Sequence, residues 1–507
     1  MTEWDYSPTV GINVKRESVT VEPEGLPRAV SQQLEKGARL ALASAIDDAD
    51  QIRLVYAFVS PNPDLRTEIS VNLPSNDPVI TSLAPLSFPA SRFEREFHDL
   101  FGVKIANHPM PRRLVRHGHW LPTWYPMRHN AGVAKFSLED DPGYPFVPVK
   151  GTGIYEIPVG PIHAGLIEPG HFRFYAVGET VVKLKIRLWF LHKGLEKLFE
   201  GMEPTAGVAL SEKISGDSSI GHSLAYVLAV EEALGVTVNP DVALARAMLL
   251  ELERLYNHVA DVGAMANDVG YSVANSHALA LREELLRINR GITGNRLLRG
   301  AIKIGGISLI GDLKLDQLRN IAESFQELAE IIVGNPMVHE RFSHTATLLR
   351  ADALLLGALG PVARSVGIAT DARIAHPFVG LPIEAALEAS GDVMARFSLR
   401  VKEFQASAKL LGEFGSILSE RALPNGTLVA ARQDSPRRQG FGLVEGWRGT
   451  IANRVELDDS GHLSRVKVVD PSWFNWPALP LAMAETIVPD FPLANKSFNL
   501  SYSGNDL

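Results

Sequence analysis

Gly160-Pro161-Ile162-His163-Ala164-Gly165-Leu166-Ile167-Glu168-Pro169-Gly170-His171-Phe172-Arg173 is the stretch on which the reading of this chain turns. Its glycines and prolines recur too often for a helix, so it reads as a loop among the short strand-like pieces between about Gly151 and Gly178. It carries two histidines, His163 and His171, whose side chains titrate nearest neutral pH. A satisfied structural histidine and a redox-coupled one fit either position equally well.

Upstream, Asp140-Asp141-Pro142-Gly143-Tyr144-Pro145-Phe146-Val147-Pro148 is the best domain boundary in the chain. It divides the sequence into an α+β unit over 1–135, a linker over 136–150 and a large unit over 151–507. In the first unit, Arg28 to Ala45 reads as an amphipathic helix. Ile52–Val59 and Glu68–Leu73 read as strands joined by a turn at Pro61-Asn62-Pro63-Asp64. Ser91 to Gly102 reads as a helix capped by Ser91 and stopped by Gly102. In the large unit, residues 183–425 are mainly helical by periodicity, and 441–475 return to strand patterns. Within 243–267, Leu244, Met248, Leu252, Leu255, Val259 and Val262 step by three or four, as a buried helical face does. The fold class is α+β: a small α+β domain, then a large, mainly helical domain with flanking β structure.

The bulk numbers exclude several functions. At 507 residues the chain suggests two or more domains, and 46% apolar with 21% charged residues is ordinary for a globular protein. A net charge of −8 argues against general nucleic-acid binding. No apolar run approaches the roughly 20 residues of a membrane helix, and Met1-Thr2-Glu3-Trp4-Asp5-Tyr6 shows no secretory signal. The absence of cysteine excludes disulfides, thiol catalysis and cysteine-ligated iron–sulfur clusters. Neither a phosphate loop nor a convincing dinucleotide fingerprint is present.

Glu94-Arg95-Glu96-Phe97-His98-Asp99-Leu100-Phe101-Gly102, followed by His108-Pro109 and Arg112-Arg113-Leu114, resembles the signature of the 30-kilodalton subunit of respiratory complex I. On charge pattern alone the same helix reads as solvated. The 160–173 loop resembles the G-P-x-H and E-P-G-H-F-R motifs of group 4 membrane-bound hydrogenase and formate hydrogenlyase large subunits, and more distantly the D subunit of complex I. Gly178-Glu179 and Leu191-His192-Lys193-Gly194-Leu195-Glu196-Lys197 follow in order. So do Glu251, Arg254, Asn257 and His258; then Gly357 to Pro361 with Arg364, Gly367, Asp371 and Arg373; then Glu445-Gly446-Trp447-Arg448-Gly449, with Trp447 where the family has proline; and last Pro471 to Trp476. The resemblance runs along essentially the whole chain, in the order of fused C and D subunits.

The resemblance also locates a loss. A [NiFe] site needs four thiolates, because soft sulfur holds nickel in that geometry. At those positions this chain has Ser215, Ser218, Ser501 and Gly504. Serine is a hard, protonated oxygen donor and glycine offers no ligand, so the expectation is a subunit without nickel, iron or clusters of its own. Family precursors are cleaved three residues after the last cysteine; counting three from Gly504 reaches Leu507, where the sequence ends, which fits either a chain with nothing to remove or one already processed.

What the resemblance implies is a peripheral member of a complex-I-like or hydrogenase-like oxidoreductase on the cytoplasmic face of the membrane. Its implied partners are a cluster-bearing small subunit like the B subunit of complex I, antiporter-like membrane subunits and other peripheral-arm subunits, with iron–sulfur clusters and any NAD residing there. A cavity formed by the 160–180 loop, the 213–222 segment and the tail would receive quinone, with His163 and His171 as proton-coupled candidates. The family's quinone tyrosine falls on Gly216, leaving a wider cavity, a different tyrosine or no quinone open. Arg173, Glu179, His222, Glu251, Arg254, His258 and Arg448 are expected at the cavity or at a partner interface. Glu251, Arg254 and His258 share one helical sector and fit an ion-pair network or a proton relay. Asp392, Arg396, Arg400, Glu403 and Ser407, also at helical spacing, fit a salt-bridge ladder or a contact with another subunit. The alternative function is a catalytically silent scaffold that couples its partners to ion transport.

Overall fold

The computed structural model describes residues 15–61, 64–134, 136, 143–165, 167–421 and 438–507. The first unit is a four-stranded sheet in spatial order Lys15–Thr20, Asp64–Pro74, Gln51–Pro61, Arg39–Asp47. Lys15–Thr20 pairs parallel to its neighbour and the other pairs are antiparallel. The expected strands at 52–59 and 68–73 lie inside two of these. Asn62 and Pro63, the centre of the expected turn, lie outside the described residues.

The helix expected over 28–45 is a correction. It runs only Leu26–Glu35, and Gly37 follows at φ 79°. Arg39–Asp47 is a strand buried along nearly its whole length. Leucine and alanine favour helix in isolation, but a ladder with Gln51–Pro61 and burial on both faces override that weak preference.

The charged helix of the first unit spans Phe88–Phe101, so Ser91 lies inside it and the cap position is Ser87. Ser91 bonds back to the Phe88 carbonyl, and Gly102, left-handed at φ 76°, stops the helix as expected. The helix is not solvated: Glu94, Glu96 and Asp99 are buried. Asp99 Oδ2 accepts the backbone amides of Leu114, Val115 and Arg116, so this carboxylate folds the following R-R-L segment onto the helix.

In the large unit, Tyr155–Val159, His171–Val177 and Thr180–Arg187 form a meander. Long helices follow at Ser219–Leu234, Pro240–Asp268, Ser272–Thr293, Leu315–Gly334 and Val393–Ser419. A second meander, Gln439–Gly446, Gly449–Leu457 and Leu463–Val469, packs against both the 219–234 helix and the first unit. Ion pairs cross between the units: Arg53–Glu456 at 2.9 Å, Arg454–Glu68 at 2.9 Å and Lys467–Glu96 at 2.6 Å. The six apolar residues of the 243–267 stripe are buried, but so is nearly every other face of that helix.

Asp392 to Ser407 form no ladder along their helix and no surface contact. All five are buried, and each reaches another element. Asp392 caps the helix through the Ala395 amide and accepts the His344 amide, Arg396 bonds Ser497, Arg400 bonds Asp261, Glu403 bonds Arg364 and His258, and Ser407 bonds Glu251.

Candidate functional site

The four degenerate positions converge. Ser501 caps the terminal helix Tyr502–Asp506, its Oγ accepting the Gly504 amide at 2.9 Å. Ser215 Oγ donates its single hydrogen to Asp217 Oδ1 at 3.0 Å, so across the 2.8 Å contact between the two hydroxyls Ser501 Oγ donates and Ser215 Oγ accepts. Ser218 donates to the same carboxylate at 3.1 Å and accepts from Trp447 Nε1 at 3.0 Å. Arg448 closes the wire with a bidentate pair to Asp217, at 2.6 and 2.7 Å.

Nickel does not fit this set. The three hydroxyls are committed to one another and to Asp217, and the Arg448 guanidinium lies 3.3 Å from Ser218 Oγ. The fourth corner is filled: a Cβ on Gly504 would stand 2.6 Å from Asp470 Cγ. Asp470 is held there by His222 Nε2 at 3.0 Å. Among the described residues no cluster of three or more His, Cys, Asp or Glu could hold a metal ion.

Beside the wire opens a cavity of about 580 Å³. Its walls include His163, Glu168 and Phe172 from the early loop, Ser215 to Asp217, Arg448, and Ser501 to Ser503. The loop and tail are fastened together: Glu168 Oε2 accepts the Ser503 amide at 3.1 Å, and the Tyr502 ring packs so closely on Gly170 that a Cβ there would sit 2.5 Å from it. This close approach explains the glycine of E-P-G-H. His163 Nε2 donates to the Gly170 carbonyl at 2.7 Å, and among the described residues Nδ1 makes no hydrogen bond. The Tyr502 hydroxyl is buried without a well-formed hydrogen bond; burial pushes its pKa up to about 12, offset in part by the Asn495 side chain.

The other expected residues lie elsewhere. His171 opens a strand, and its ring faces Phe146 of the linker with Arg173 Nε 3.4 Å away, so neither lines the cavity. Arg173 pairs with Glu156 at 3.2 Å. Glu179 is exposed in the hairpin turn. His222, Glu251, Arg254 and His258 are sealed in the interior. Glu251 bonds Arg254 and Arg373, each at 3.1 Å, and His258 bonds Glu403 at 3.0 Å. With Arg364, Asp371 and Glu445 these make three guanidiniums facing four carboxylates. Burial and the Asp371 charge push the surplus carboxyl, Glu445, up. Arg254 holds the Glu445 and Gly446 carbonyls, which aims the next turn, and Arg448 on it, at the cavity.

Asp217, Glu168, Tyr502 and Asp470 were not singled out by sequence. Asp217 and Tyr502 each sit beside a degenerate ligand position, which is the signal that could have found them. Although burial opposes it, the Arg448 charge with the bonds from Arg448, Ser215 and Ser218 holds the Asp217 carboxyl at about 2, while its side chain keeps 39% exposure to the cavity. A carboxylate held below its unfolded value of about 4 contributes stability above that value and loses it as pH falls toward the folded one. Thermal melts should therefore drop between about pH 4 and pH 2 more steeply in the native protein than in Asp217→Asn. Parallel curves would show the pair to be without weight.

With this geometry in place, the relatives become informative. Formate hydrogenlyase subunit 5 of Escherichia coli (strain K12) is 30% identical over 453 residues, covering 86% of this chain and 79% of that protein. The chain belongs to this large-subunit family. Hydrogenase-4 component G of the same organism is also 30% identical, covering 82% of the chain and 73% of that protein. The fused C/D subunit of NADH-quinone oxidoreductase from Phocaeicola vulgatus (strain ATCC 8482) is 26% identical, covering 87% and 89%. Residues 19–137 match the family "Respiratory-chain NADH dehydrogenase, 30 Kd subunit" and residues 268–424 match "Respiratory-chain NADH dehydrogenase, 49 Kd subunit". A chain of the membrane-bound sulfane sulfur reductase, an archaeal respiratory membrane complex, shares the fold with a TM-score of 0.61 at 22% identity, covering 71% of this chain and 100% of that one. This large subunit is thus a 30-kilodalton-type domain fused to a 49-kilodalton-type domain. Among its described residues no helix is long and apolar enough to cross a membrane.

Proposed function

We propose that this large subunit sits peripherally in a membrane oxidoreductase complex, docks an iron–sulfur partner, and receives a quinone-like acceptor in the cavity beside the vacated thiolate positions. The observation that carries the reading is that cavity itself: about 580 Å³, with Val159, Ile167, Phe172 and Phe491 among its apolar lining and His163, Asp217, Arg448 and Tyr502 among its polar lining. Most of the lining residues are polar, Glu168, Asp268 and Lys496 also among them, and the apolar patch beside hydrogen-bonding groups suits a flat ring with carbonyl oxygens. Reduction of a quinone takes two electrons, supplied by the partner's clusters, and two protons. His163, with Nε2 anchored on the Gly170 carbonyl and no hydrogen bond to Nδ1 among the described residues, lines the cavity and is placed to hydrogen-bond the ring and pass a proton. The Tyr502 ring forms part of the wall, with its hydroxyl sealed beside Asn495. No nickel is bound by the chain in this reading.

The test is turnover of a short-chain quinone by the purified complex. His163→Ala is expected to lower it by roughly 10²-fold, the low end for loss of a positioned proton donor. Unchanged turnover would remove this role, and stoichiometric nickel in the complex would overturn the reading. A silent scaffold is the second reading. It is favoured by the closed wire from Ser501 to Arg448, in which every hydroxyl at a vacated position is already satisfied.

A further inference from the structure

A second pocket, of about 160 Å³, lies where the 88–101 helix, the linker and the 180–187 strand meet, with a lining that shares no residue with the cavity above. Three arginines line it: Arg92, Arg95 and Arg187. Their hydrogen bonds go to neutral acceptors. Arg92 donates to the Trp473 carbonyl and to Asn505 Oδ1. Arg95 donates to the carbonyls of Arg112 and Arg113 and to Tyr144 Oη. Arg187 donates to the carbonyls of Leu114, Val115 and Arg116. Among the described residues no carboxylate stands within ion-pair distance of any of the three. By contrast the buried Arg246, Arg400 and Arg465 face Glu231, Asp261 and Glu196, whereas Arg396, also buried, bonds the Ser497 hydroxyl and two carbonyls.

Arg92 is 7% exposed and Arg187 4%. Burying like charges together with no carboxylate in direct contact is costly, although the charges of Glu96 and Asp506 act on Arg92 and that of Asp99 on Arg187 from beyond contact distance. Burial, joined for Arg92 by the charge of Arg95, lowers Arg92 to about 9, and burial lowers Arg187 to about 10. Among the described residues each guanidinium keeps a nitrogen with no hydrogen bond that is not sealed from solvent: Arg92 Nε, Arg95 Nη1 and Arg187 Nε. Aromatic faces hold the arginines in place. Arg187 lies 4.6 Å from the Tyr144 ring centre and 5.6 Å from Trp189, and Arg92 lies 4.8 Å from Trp473. Trp476, Pro477 and Pro480 complete an apolar rim.

We infer that this pocket binds an oxyanion, a carboxylate or phosphate carried on a small apolar body. Planar guanidiniums converging on one space match the geometry of such groups, and the Trp476 and proline rim accepts the apolar remainder. The inference is independent of what the cavity at Ser215 receives.

Calorimetric titration of the full chain with inorganic phosphate, benzoate and phenyl phosphate, in chloride at constant ionic strength, tests it. One saturable site is expected for at least one probe. A preference for benzoate would assign a carboxylate ligand; a preference for the phosphates would assign a phosphate. Arg92→Gln and Arg187→Gln are expected to weaken binding at least tenfold, with the exposed control Arg296→Gln unchanged. Pro480→Trp, which fills the rim without touching an arginine, is expected to abolish binding in a normally folded protein. Absence of saturable binding by all three probes, or binding unaltered in Arg92→Gln, Arg187→Gln and Pro480→Trp, overturns the inference.

Discussion

Replacing Arg364 by methionine is expected to destabilise the protein by about 3–5 kcal/mol, the cost of breaking a buried ion pair from one side. Arg364 is completely buried. Its Nε donates to Glu403 at 2.9 Å, and its Nη1 to Glu445 at 2.8 Å and to the Thr370 carbonyl at 2.6 Å. Methionine fills much of the volume but leaves two carboxylates in a site already one cation short. Burial works to raise Glu403, yet the Arg364 charge and the His258 bond hold it well below the ordinary range. Without Arg364 its folded pKa rises above the unfolded one. A raised carboxyl contributes stability at low pH that is lost as pH climbs through the folded value, so the defect should be smaller at pH 5 than at pH 8. Denaturant unfolding followed by tryptophan fluorescence measures this. An unshifted midpoint at both pH values would mean that the network carries little of the fold's stability.

Gly442→Ala is expected to cost at least the upper end of the roughly 1–3 kcal/mol typical of overpacking, and to lower the yield of folded protein. A Cβ at Gly442 would stand 1.9 Å from the Ala225 carbonyl oxygen, and one at Gly440 would stand 1.8 Å from that of Ala229. Both obstacles are backbone of the 219–234 helix, so no rotamer change relieves them. The 439–446 strand and this helix pack backbone to backbone. The helix begins beside Ser218, so forcing the two apart also displaces Asp217 from Arg448. Gly412→Ala, with no heavy atom within 4 Å of the added Cβ, is the control and is expected to leave stability near or above the native value. Equal soluble yield and melting temperature for Gly442→Ala and native protein would contradict the close packing.

The fold was largely legible because its strongest signals are local. The 243–262 stripe, the stop at Gly102 and the Gly/Pro-rich 160–170 loop each rest on residues within a few positions of one another. Arg39–Asp47 was not legible. Whether such an apolar run becomes helix or strand depends on a partner strand and on burial of both faces. The charged helix at 88–101 misled charge-pattern reasoning for a related reason. Its carboxylates find amide donors outside the helix, such as Leu114, 15 residues from Asp99, and a lysine 371 residues away, and only those partners make burial tolerable. In the site, the early loop and the tail could be placed together by their motifs. The division of roles between His163, which lines the cavity, and His171, which faces the linker, could not: it depends on where a strand begins.

By itself the sequence determined that no thiolate is available, that the four ligand positions hold three hydroxyls and a glycine, and that two units are joined in a fixed order. Those are facts of composition, and no folding can change them. Tertiary structure decided what the vacated positions became. Ser501 became a helix cap, Asp470 took the space above Gly504, and Arg448, 231 residues from Asp217, became its counter-charge. Hydrogen bonds and ion pairs act over a few ångströms, so their partners are set by which distant segments the fold brings within reach.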